Sequence, residues 1–203
     1  MNRSDCINDI KKAAAILQAG GIIVYPAETV YGIGCDPLNR EACMKIQFLK
    51  NREEPKTMLL LAYSLKQVEE MAGSFSDISH KLAEKFWPGP LTLIIKPQID
   101  LPEHLIGLSG GVAFRVTSHP VAAALARKFA RPIISTSANT SGQPPVLTYN
   151  KAIEEFGDTV DMVIGSHHVA SGKPSTVVDC TSGFLSMVRE GSISKSQLKE
   201  ALQ

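Results

Sequence analysis

The chain has 203 residues, of which 44% are hydrophobic, and its mean hydropathy is +0.02. This length and composition predict one well-buried core, and we expect a single domain over residues 1–203. Twenty-one Lys and Arg residues against twenty Asp and Glu leave a formal net charge of +1, so any basic surface for a nucleic acid must be local. The amino-terminal residues lack a signal-peptide pattern and no apolar stretch approaches a membrane span, so we predict a cytoplasmic protein.

Cysteine and histidine spacing argues against a metal site made by the protein. The chain has no Cys-x-x-Cys pair, and no histidine stands at zinc-ligand spacing from a cysteine. His167 and His168 lack a third ligand nearby, which favours exposed loop histidines. The four cysteines are predicted to be reduced and mostly buried: Cys6, Cys35, Cys43 and Cys180.

The first half of the chain alternates helix and strand patterns. Gly20 and Gly21 end the first helix, Asn39 can cap the second helix, and Ser64 with Gln67 forms a capping box that predicts a further helix. The predicted elements are a helix over 5–19, a strand over 22–25, a strand within 25–34, a helix from 39 to about 49, a strand over 58–63, and helices over 64–73 and 77–87.

The second half has more strands than helices, so helices and strands do not alternate strictly. Its predicted elements are strands over 91–96, 112–116, 132–136, 160–164, 176–180 and 184–188, helices over 120–130 and 150–156, and a final helix capped by Ser194 and Gln197. We therefore predict an α/β (α+β) fold with a twisted mixed β-sheet rather than a uniformly parallel one.

Polar residues at element ends suggest an anion-binding site. The chain has no Gly-x-x-x-x-Gly-Lys-Ser/Thr loop, no Gly-x-Gly-x-x-Gly after the first strand, and Gly32-Ile-Gly34 alone is weak. A nucleotide would therefore need side-chain cations and hydroxyl groups, because phosphate charges cannot stay unpaired in a cleft. Ser137 and Asn139, two apart at a strand end, would point the same way. The candidate cations are Lys50, Arg52, Lys56, Arg115 and Arg189.

Each of these residues also has an ordinary structural interpretation. Lys50 and Arg52 resemble a solvated helix end, and Ser137 with Asn139 resembles a turn. Arg115 inside an apolar strand fits a buried ion pair as well as a binding site, and Arg189 fits a surface turn. Glu28 could act as a general base, but beside Thr29 in a turn it could equally hold the backbone.

Taken together, seven segments resemble the YrdC/Sua5 family in their order along the chain, from about Ala14 to Ser194. They are Tyr25-Pro-Ala-Glu-Thr-Val-Tyr-Gly-Ile-Gly34, Lys50-x-Arg52, Trp87-Pro-Gly-Pro-Leu-Thr92, Val112-Ala-Phe-Arg115, Ser137-Ala-Asn-x-Ser-Gly142, Pro174-Ser-Thr-Val-Val-Asp179 and Val188-Arg-x-Gly191. The resemblance is to the short, single-domain bacterial form, and it implies a YrdC-like sheet flanked by helices around a central concave cleft.

The resemblance implies an enzyme that joins L-threonine, bicarbonate and ATP into threonylcarbamoyl-adenylate and pyrophosphate. Mg²⁺ would arrive with ATP, and the product would serve tRNA threonylcarbamoyladenosine modification. The implied partners are tRNA and a downstream tRNA threonylcarbamoyltransferase complex, with no membrane involved. The alternatives are a non-catalytic RNA- or nucleotide-binding module and a carbamoyl-adenylate-forming enzyme.

The resemblance also implies roles for individual residues. Catalysis would rest on Lys50, Arg52, Ser137 and Asn139. L-threonine would be bound by Thr29, Arg115, Ser135 and Ser175. ATP would be bound by Arg52, Lys56, Gly111, Ser137, Asn139, Pro145 and Arg189.

Two further expectations concern the pocket. Leu61 stands where many family members have a histidine, so part of threonine recognition must differ here. Because an adenylate hydrolyses readily, we expect a loop to close over it, either residues 140–148 or residues 165–174.

Overall fold

A mixed sheet runs through the centre of the molecule and carries the predicted site residues. The computed structural model describes residues 3–51, 58–165 and 172–203. The strands are β1 (Ile23–Pro26), β2 (Tyr31–Gly34), β3 (Leu59–Ala62), β4 (Leu91–Ile95), β5 (Val112–Val116), β6 (Ile133–Ser137), β7 (Met162–Val163), β8 (Thr176–Asp179) and β9 (Ser186–Arg189). The helices are α1 (Arg3–Gln18), α2 (Arg40–Leu49), α3 (Leu65–Ala72), α4 (Asp77–Phe86), α5 (Pro120–Phe129), α6 (Tyr149–Phe156) and α7 (Lys195–Glu200), with a 3₁₀ turn at Glu103–Leu105.

The strands of the described chain follow the order β7-β1-β2-β6-β3-β5-β4-β8-β9. Three neighbouring pairs are parallel, β1/β7, β3/β5 and β4/β8, and the other pairs are antiparallel. The predicted mixed sheet is confirmed. The order also places β2, β6, β3 and β5 side by side, although they come from distant parts of the chain.

Most predicted elements are confirmed to within one or two residues, and two differ in detail. The strand predicted over 160–164 is reduced to Met162–Val163, a short edge strand that pairs with β1. The capping box predicted at Ser64 is half formed: Ser64 Oγ accepts the Gln67 N–H, but Gln67 Oε1 accepts the N–H of Tyr63. The box at Ser194 and Gln197 forms in full.

Helices cover the two faces of the sheet unequally. Side chains from α2, α3, α4, α6 and α7 join one large core cluster with alternate strand residues such as Leu60, Phe114 and Ile134. On the opposite face, α1 and α5 pack together over Tyr25 and Leu61 in a second, smaller cluster. Helices therefore cover one face of the sheet broadly, whereas they cover the other face only around β1, β3 and β6.

The second face is the one that carries the predicted site. Residues paired across neighbouring strands share a face, and so do residues two apart on one strand. Leu61 pairs with Arg115, Leu59 with Ser135, and Gly32 with Ser137. The same face extends across the rest of the sheet. Ala113 in β5 pairs with Ile94 in β4, Thr92 in β4 pairs with Val177 in β8, and Val177 pairs with Arg189 in β9. Arg115, Ser135, Ser137 and Arg189 thus lie on one face.

Two other features concern the described part of the chain. Among its helices, none is both long and apolar enough to cross a membrane. Cys35, Cys43 and Cys180 are buried free thiols, as predicted.

Candidate active site

The ammonium group of Lys50 joins two segments that are far apart in sequence. Lys50 follows the last residue of α2 as its carboxyl-terminal cap, and it is only 1% exposed. Its Nζ donates to the carbonyl oxygen of Ser137, to the carbonyl of Asn139 at 2.8 Å and to Asn139 Oδ1 at 2.8 Å. These three acceptors match the three donors of an ammonium group. Lys50 therefore fixes the loop after β6, and the interpretation as a solvated helix end is wrong.

The loop after β6 is further ordered by its own side chains. Ser137 Oγ donates to Asn139 Oδ1 at 2.6 Å, and Asn139 Nδ2 donates to the carbonyl of Gln143. The N–H of Ser141 donates to the carbonyl of Lys50 at 3.0 Å, so Lys50 holds the loop with both its side chain and its backbone. Ser137 and Asn139 meet as predicted. The result is a fixed polar turn beside a buried positive charge.

Arg115 lies in β5 and faces a carboxylate from the turn between β1 and β2. Its side chain is 5% exposed, and its Nε lies 3.7 Å from Glu28 Oε1. Glu28 Oε2 accepts the hydroxyl hydrogen of Thr117 at 2.7 Å. Glu28 thus contacts side chains of the strand that carries Arg115, rather than only its own turn. Arg115 therefore forms the predicted buried ion pair and is also one of the predicted site residues.

A second guanidinium group is held at the edge of the sheet. Arg189 Nε and Nη2 both donate to the carbonyl of Ser175, at 3.2 and 3.0 Å, and Nη2 also lies 3.2 Å from Ser175 Oγ. Ser175 Oγ is 3.0 Å from the hydroxyl of Thr92 in β4. Arg189 is the exposed last residue of β9, so the interpretation as a surface turn is right about its exposure and wrong about the turn. The segment before β8 positions both Ser175 and Arg189.

The two arginines influence one another electrostatically. Although Arg189 is exposed at the sheet edge, partial desolvation of its guanidinium group, and after it the positive charge of Arg115, lowers the pKa of Arg189 below its ordinary value. Both groups lie on the same face of the sheet, and Glu28 is the carboxylate paired with Arg115. An anion placed between the arginines would relieve their repulsion. This part of the face is therefore suited to a carboxylate or phosphate.

Gly32 and Gly34 are required by close packing in β2. A Cβ atom on Gly34 would lie 2.5 Å from the carbonyl of Ile134 and 2.7 Å from the Tyr25 ring. A Cβ atom on Gly32 would lie 3.1 Å from Ser135 Oγ. The Gly-x-Gly pair thus lets β6 and the buried Tyr25 approach β2. Burial raises the pKa of the Tyr25 hydroxyl, which keeps it neutral.

The other predicted residues surround these clusters. Ser135 is buried in β6, two residues before Ser137, and Thr29 is buried beside Glu28, where its carbonyl accepts the Gly172 N–H. Gly111 immediately precedes β5 and has no room for a side chain, because a Cβ atom would lie within 2.6 Å of Thr181 and Ile94 side-chain atoms. Pro145 lines an open groove of about 700 Å³ between the loop after β6 and α6. Arg52 and Lys56 lie outside the described residues.

Comparison with known proteins identifies the family of this chain. The Sua5/YciO/YrdC family model, described as "Telomere recombination", matches residues 15–191. Threonylcarbamoyl-AMP synthase of Cellvibrio japonicus is 34% identical over 86% of this chain and 92% of its own, and the Thiobacillus denitrificans protein of that name is 38% identical over 83% and 89%. The chain belongs to the Sua5/YciO/YrdC family.

The same fold occurs in a solved member of this Sua5/YciO/YrdC family. The crystal structure of P. abyssi Sua5 complexed with L-threonine superposes with a TM-score of 0.88 at 30% identity. It covers 95% of this chain, whereas this chain spans 57% of that protein. The relatives named above are enzymes that make an adenylate, and the YrdC-like fold predicted from sequence is confirmed.

Leu61, where the resemblance led us to expect a difference in threonine recognition, is a packing residue in the structure. Leu61 is fully buried, pairs with Arg115 in the sheet and belongs to the core cluster beneath α5. The position therefore supplies packing rather than a polar contact. Hydroxyl groups on the same face, above all that of Ser135, remain as hydrogen-bonding groups near Arg115.

Three side chains of this candidate site make contacts that the sequence analysis did not predict. They are Glu28 on Arg115, Thr117 on Glu28 and Thr92 on Ser175. Thr117 follows Arg115 by two residues, so strand alternation is the signal that could have placed both on one face. Thr92 lies inside a quoted family motif, but nothing in its local sequence indicates its partner 83 residues away.

Proposed function

We propose that this protein is a threonylcarbamoyl-AMP synthase, which converts L-threonine, bicarbonate and ATP into threonylcarbamoyl-adenylate and pyrophosphate. The observation that carries the proposal is the shared sheet face. It joins a buried arginine suited to a carboxylate, Arg115, to an ordered serine–asparagine turn and to a second arginine, Arg189. The relatives of the same name support the substrates.

The chemistry needs positioning and charge stabilisation rather than a protein nucleophile. The amine of threonine first takes up bicarbonate as a carbamate. A carbamate oxygen then attacks the α-phosphorus of ATP, while the bond from that phosphorus to the bridging oxygen of pyrophosphate breaks. Two anions meet in this step, so fixed positive charges and hydrogen-bond donors lower its barrier.

The residues divide into two groups under this proposal. Thr29, Arg115, Ser135 and Ser175 bind threonine, with Arg115 receiving the carboxylate. Arg52, Lys56, Gly111, Ser137, Asn139, Pro145 and Arg189 bind ATP. Lys50 acts by holding Ser137 and Asn139 in place, because its described contacts are to their oxygens.

Mg²⁺ fits this arrangement as a companion of ATP. Within residues 3–51, 58–165 and 172–203 there is no group of three or more His, Cys, Asp or Glu side chains able to hold a metal. Asn139 Oδ1 already accepts from Lys50 and Ser137. We therefore propose that phosphate oxygens and water supply most ligands of the ion, which would shield the charge of the leaving pyrophosphate.

The product is proposed to serve tRNA modification in the cytoplasm. A labile mixed anhydride must be passed quickly to the enzyme that transfers threonylcarbamoyl to tRNA. We propose a downstream tRNA threonylcarbamoyltransferase complex as that partner, with tRNA contact on a local surface, since the net charge of +1 gives no general attraction.

Pyrophosphate release tests the proposal directly. Release should require ATP, L-threonine and bicarbonate together, and Ser137→Ala should lower its rate about 100-fold, the usual loss for one preorganised contact. Ser74→Ala, an exposed serine that contacts Gln98, is the matched control and should keep full activity. Threonine-independent release would instead support a carbamate-adenylating enzyme, and absence of release would support a binding module.

A further inference from the structure

The buried carboxylate of Glu28 has one oxygen that the described residues leave without a hydrogen bond. Glu28 is 16% exposed, and Thr117 holds its Oε2. Its Oε1 is buried without a hydrogen-bond partner, and so is Arg115 Nε, 3.7 Å away. At that distance the two atoms attract one another electrostatically but do not form a hydrogen bond.

Burying these two atoms destabilises the folded protein unless another group forms hydrogen bonds with them. Buried polar groups are nearly always hydrogen-bonded, and an unpaired charged group carries a larger desolvation cost than a neutral one. Here an acceptor with negative charge and a donor with positive charge lie side by side. A ligand that completes both presents a donor to Glu28 Oε1 and an acceptor to Arg115 Nε, and the strongest bonds form when that donor is positive and that acceptor negative. The α-carbon of a free amino acid presents that combination, an ammonium group and a carboxylate.

We propose that Glu28 binds the α-ammonium group of threonine through Oε1 and takes a proton from it when the amine is carboxylated. The inference rests on the proposed function and adds a residue to it. Arg115 binds the carboxylate of the same molecule, and Thr117 keeps Glu28 in the required orientation through Oε2. Glu28 is then a catalytic residue, since it touches the reacting nitrogen.

The step balances without any further reactant. The nitrogen of threonine forms a bond to the carbon of bicarbonate, and one C–O bond of bicarbonate breaks. Of the three protons on the ammonium group, one stays on nitrogen, one leaves with the departing hydroxide as water, and one moves to Glu28. The products are threonine carbamate, water and a neutral Glu28, which returns its proton to solvent before the next cycle.

A purely structural role for Glu28 makes a different prediction. If Glu28 only offsets the charge of Arg115, its loss alters every ligand of Arg115 equally. If it binds the ammonium group, its loss affects only ligands that carry that group. The test therefore compares L-threonine with (2S,3R)-2,3-dihydroxybutanoate, which keeps the carboxylate and side chain but has a hydroxyl in place of the ammonium group.

The experiment is calorimetric binding of both compounds to the intact protein and to Glu28→Gln, with thermal unfolding to confirm that each variant is folded. We expect Glu28→Gln to weaken L-threonine binding about tenfold or more and to leave dihydroxybutanoate binding within about twofold. The KM for threonine should rise while the KM for ATP stays unchanged. Glu70→Gln, which alters an exposed carboxylate on α3, is the matched control and should change neither.

Three outcomes would overturn the inference. Unchanged threonine binding by Glu28→Gln, or an equal loss for both compounds, would reject Glu28 as the ammonium ligand while leaving the synthase activity in place. Failure of the unaltered protein to bind L-threonine would reject the proposed function together with this inference. If Glu28→Gln does not fold, Glu28→Asp keeps the charge but withdraws it by one methylene, and the same selective loss is expected.

Discussion

At the scale of single residues, Lys50 shows how a charged side chain can organise a site from within. Its ammonium group is buried among oxygens of Ser137 and Asn139, and its carbonyl accepts the N–H of Ser141. Truncation of a surface lysine would cost the protein little stability. Here truncation would leave buried oxygens without donors, which is a larger cost.

Lys50→Ala should therefore lower both stability and activity. We expect the free energy of unfolding to fall by about 2–4 kcal/mol and pyrophosphate release to drop about 100-fold, because the Ser137–Asn139 turn loses its anchor. Lys50→Arg should not restore activity, since a larger planar group cannot replace an enclosed ammonium. Chemical denaturation and pyrophosphate release measure the two effects, with exposed Lys81→Ala as control. Full stability with lost activity would instead indicate that Lys50 acts on the substrate alone.

Asp179 gives a pH-dependent prediction at the same scale. Burial would raise the pKa of its carboxyl, but hydrogen bonds from the N–H and hydroxyl of Thr181 outweigh burial and lower the pKa below its ordinary value. The charged form is thus favoured in the folded state, so its contribution to stability is present above about pH 4 and is lost as pH falls through the lowered pKa.

The stability advantage of the unaltered protein over Asp179→Asn should accordingly shrink on acidification. Denaturant unfolding at pH 7 and pH 3 measures it for both proteins. A difference that stays constant between the two pH values would contradict the assignment.

At the scale of elements, the residues that pack against β2 limit the side chains that this strand can carry. Ile134 and Tyr25 approach so closely that Gly34 has no space for a methyl group. Gly34→Ala should therefore destabilise the protein by about 1–3 kcal/mol through overpacking and should weaken substrate binding, because β2 lies beside the strand that carries Ser135 and Ser137.

Gly165→Ala is the matched control for this substitution. Its added methyl would meet Tyr149 at 3.4 Å, an ordinary contact, so its melting temperature should remain close to that of the unaltered protein. Equal melting temperatures for both variants would show that β2 can shift to accept the extra atom.

The elements themselves were largely predictable from sequence, because hydrophobic periodicity and helix caps are local signals. Asn39 accepts the Ala42 N–H and begins α2 as expected. The contacts within the site were less predictable. Lys50 meets Ser137 across 87 positions, and Glu28 meets Thr117 across 89, so neither partner has a local signal. Resemblance to a family indicated which residues gather, but not that Lys50 would bind the turn or that Glu28 would pair with Arg115.

At the scale of the whole molecule, the open groove beside Pro145 places the 140–148 loop next to the proposed nucleotide site. This loop is held at Ser141 and Gln143 by Lys50 and Asn139, while most of its side chains are exposed. ATP that binds Ser137 and Asn139 should therefore order it further. The other predicted lid, residues 165–174, lies partly outside the described residues.

Limited proteolysis with and without a non-hydrolysable ATP analogue and Mg²⁺ tests loop closure. We expect cleavage within 140–148 to slow at least severalfold when the analogue is bound. Cleavage in the 195–200 helix region serves as the internal reference. If the analogue does not change the rate of cleavage within 140–148 relative to cleavage in 195–200, this loop is excluded as the lid.

The order of the strands also governs when the protein can recognise its ligands during synthesis. Glu28 enters near the start of the chain, whereas Arg189 ends β9, which pairs only with β8 among the described strands. A ribosome-bound chain that lacks its last strands would have the first contacts but not the second arginine. Under the proposed function, the ATP site is therefore complete only after β9 has been added, so ATP can stabilise the finished protein but not the folding steps that precede β9.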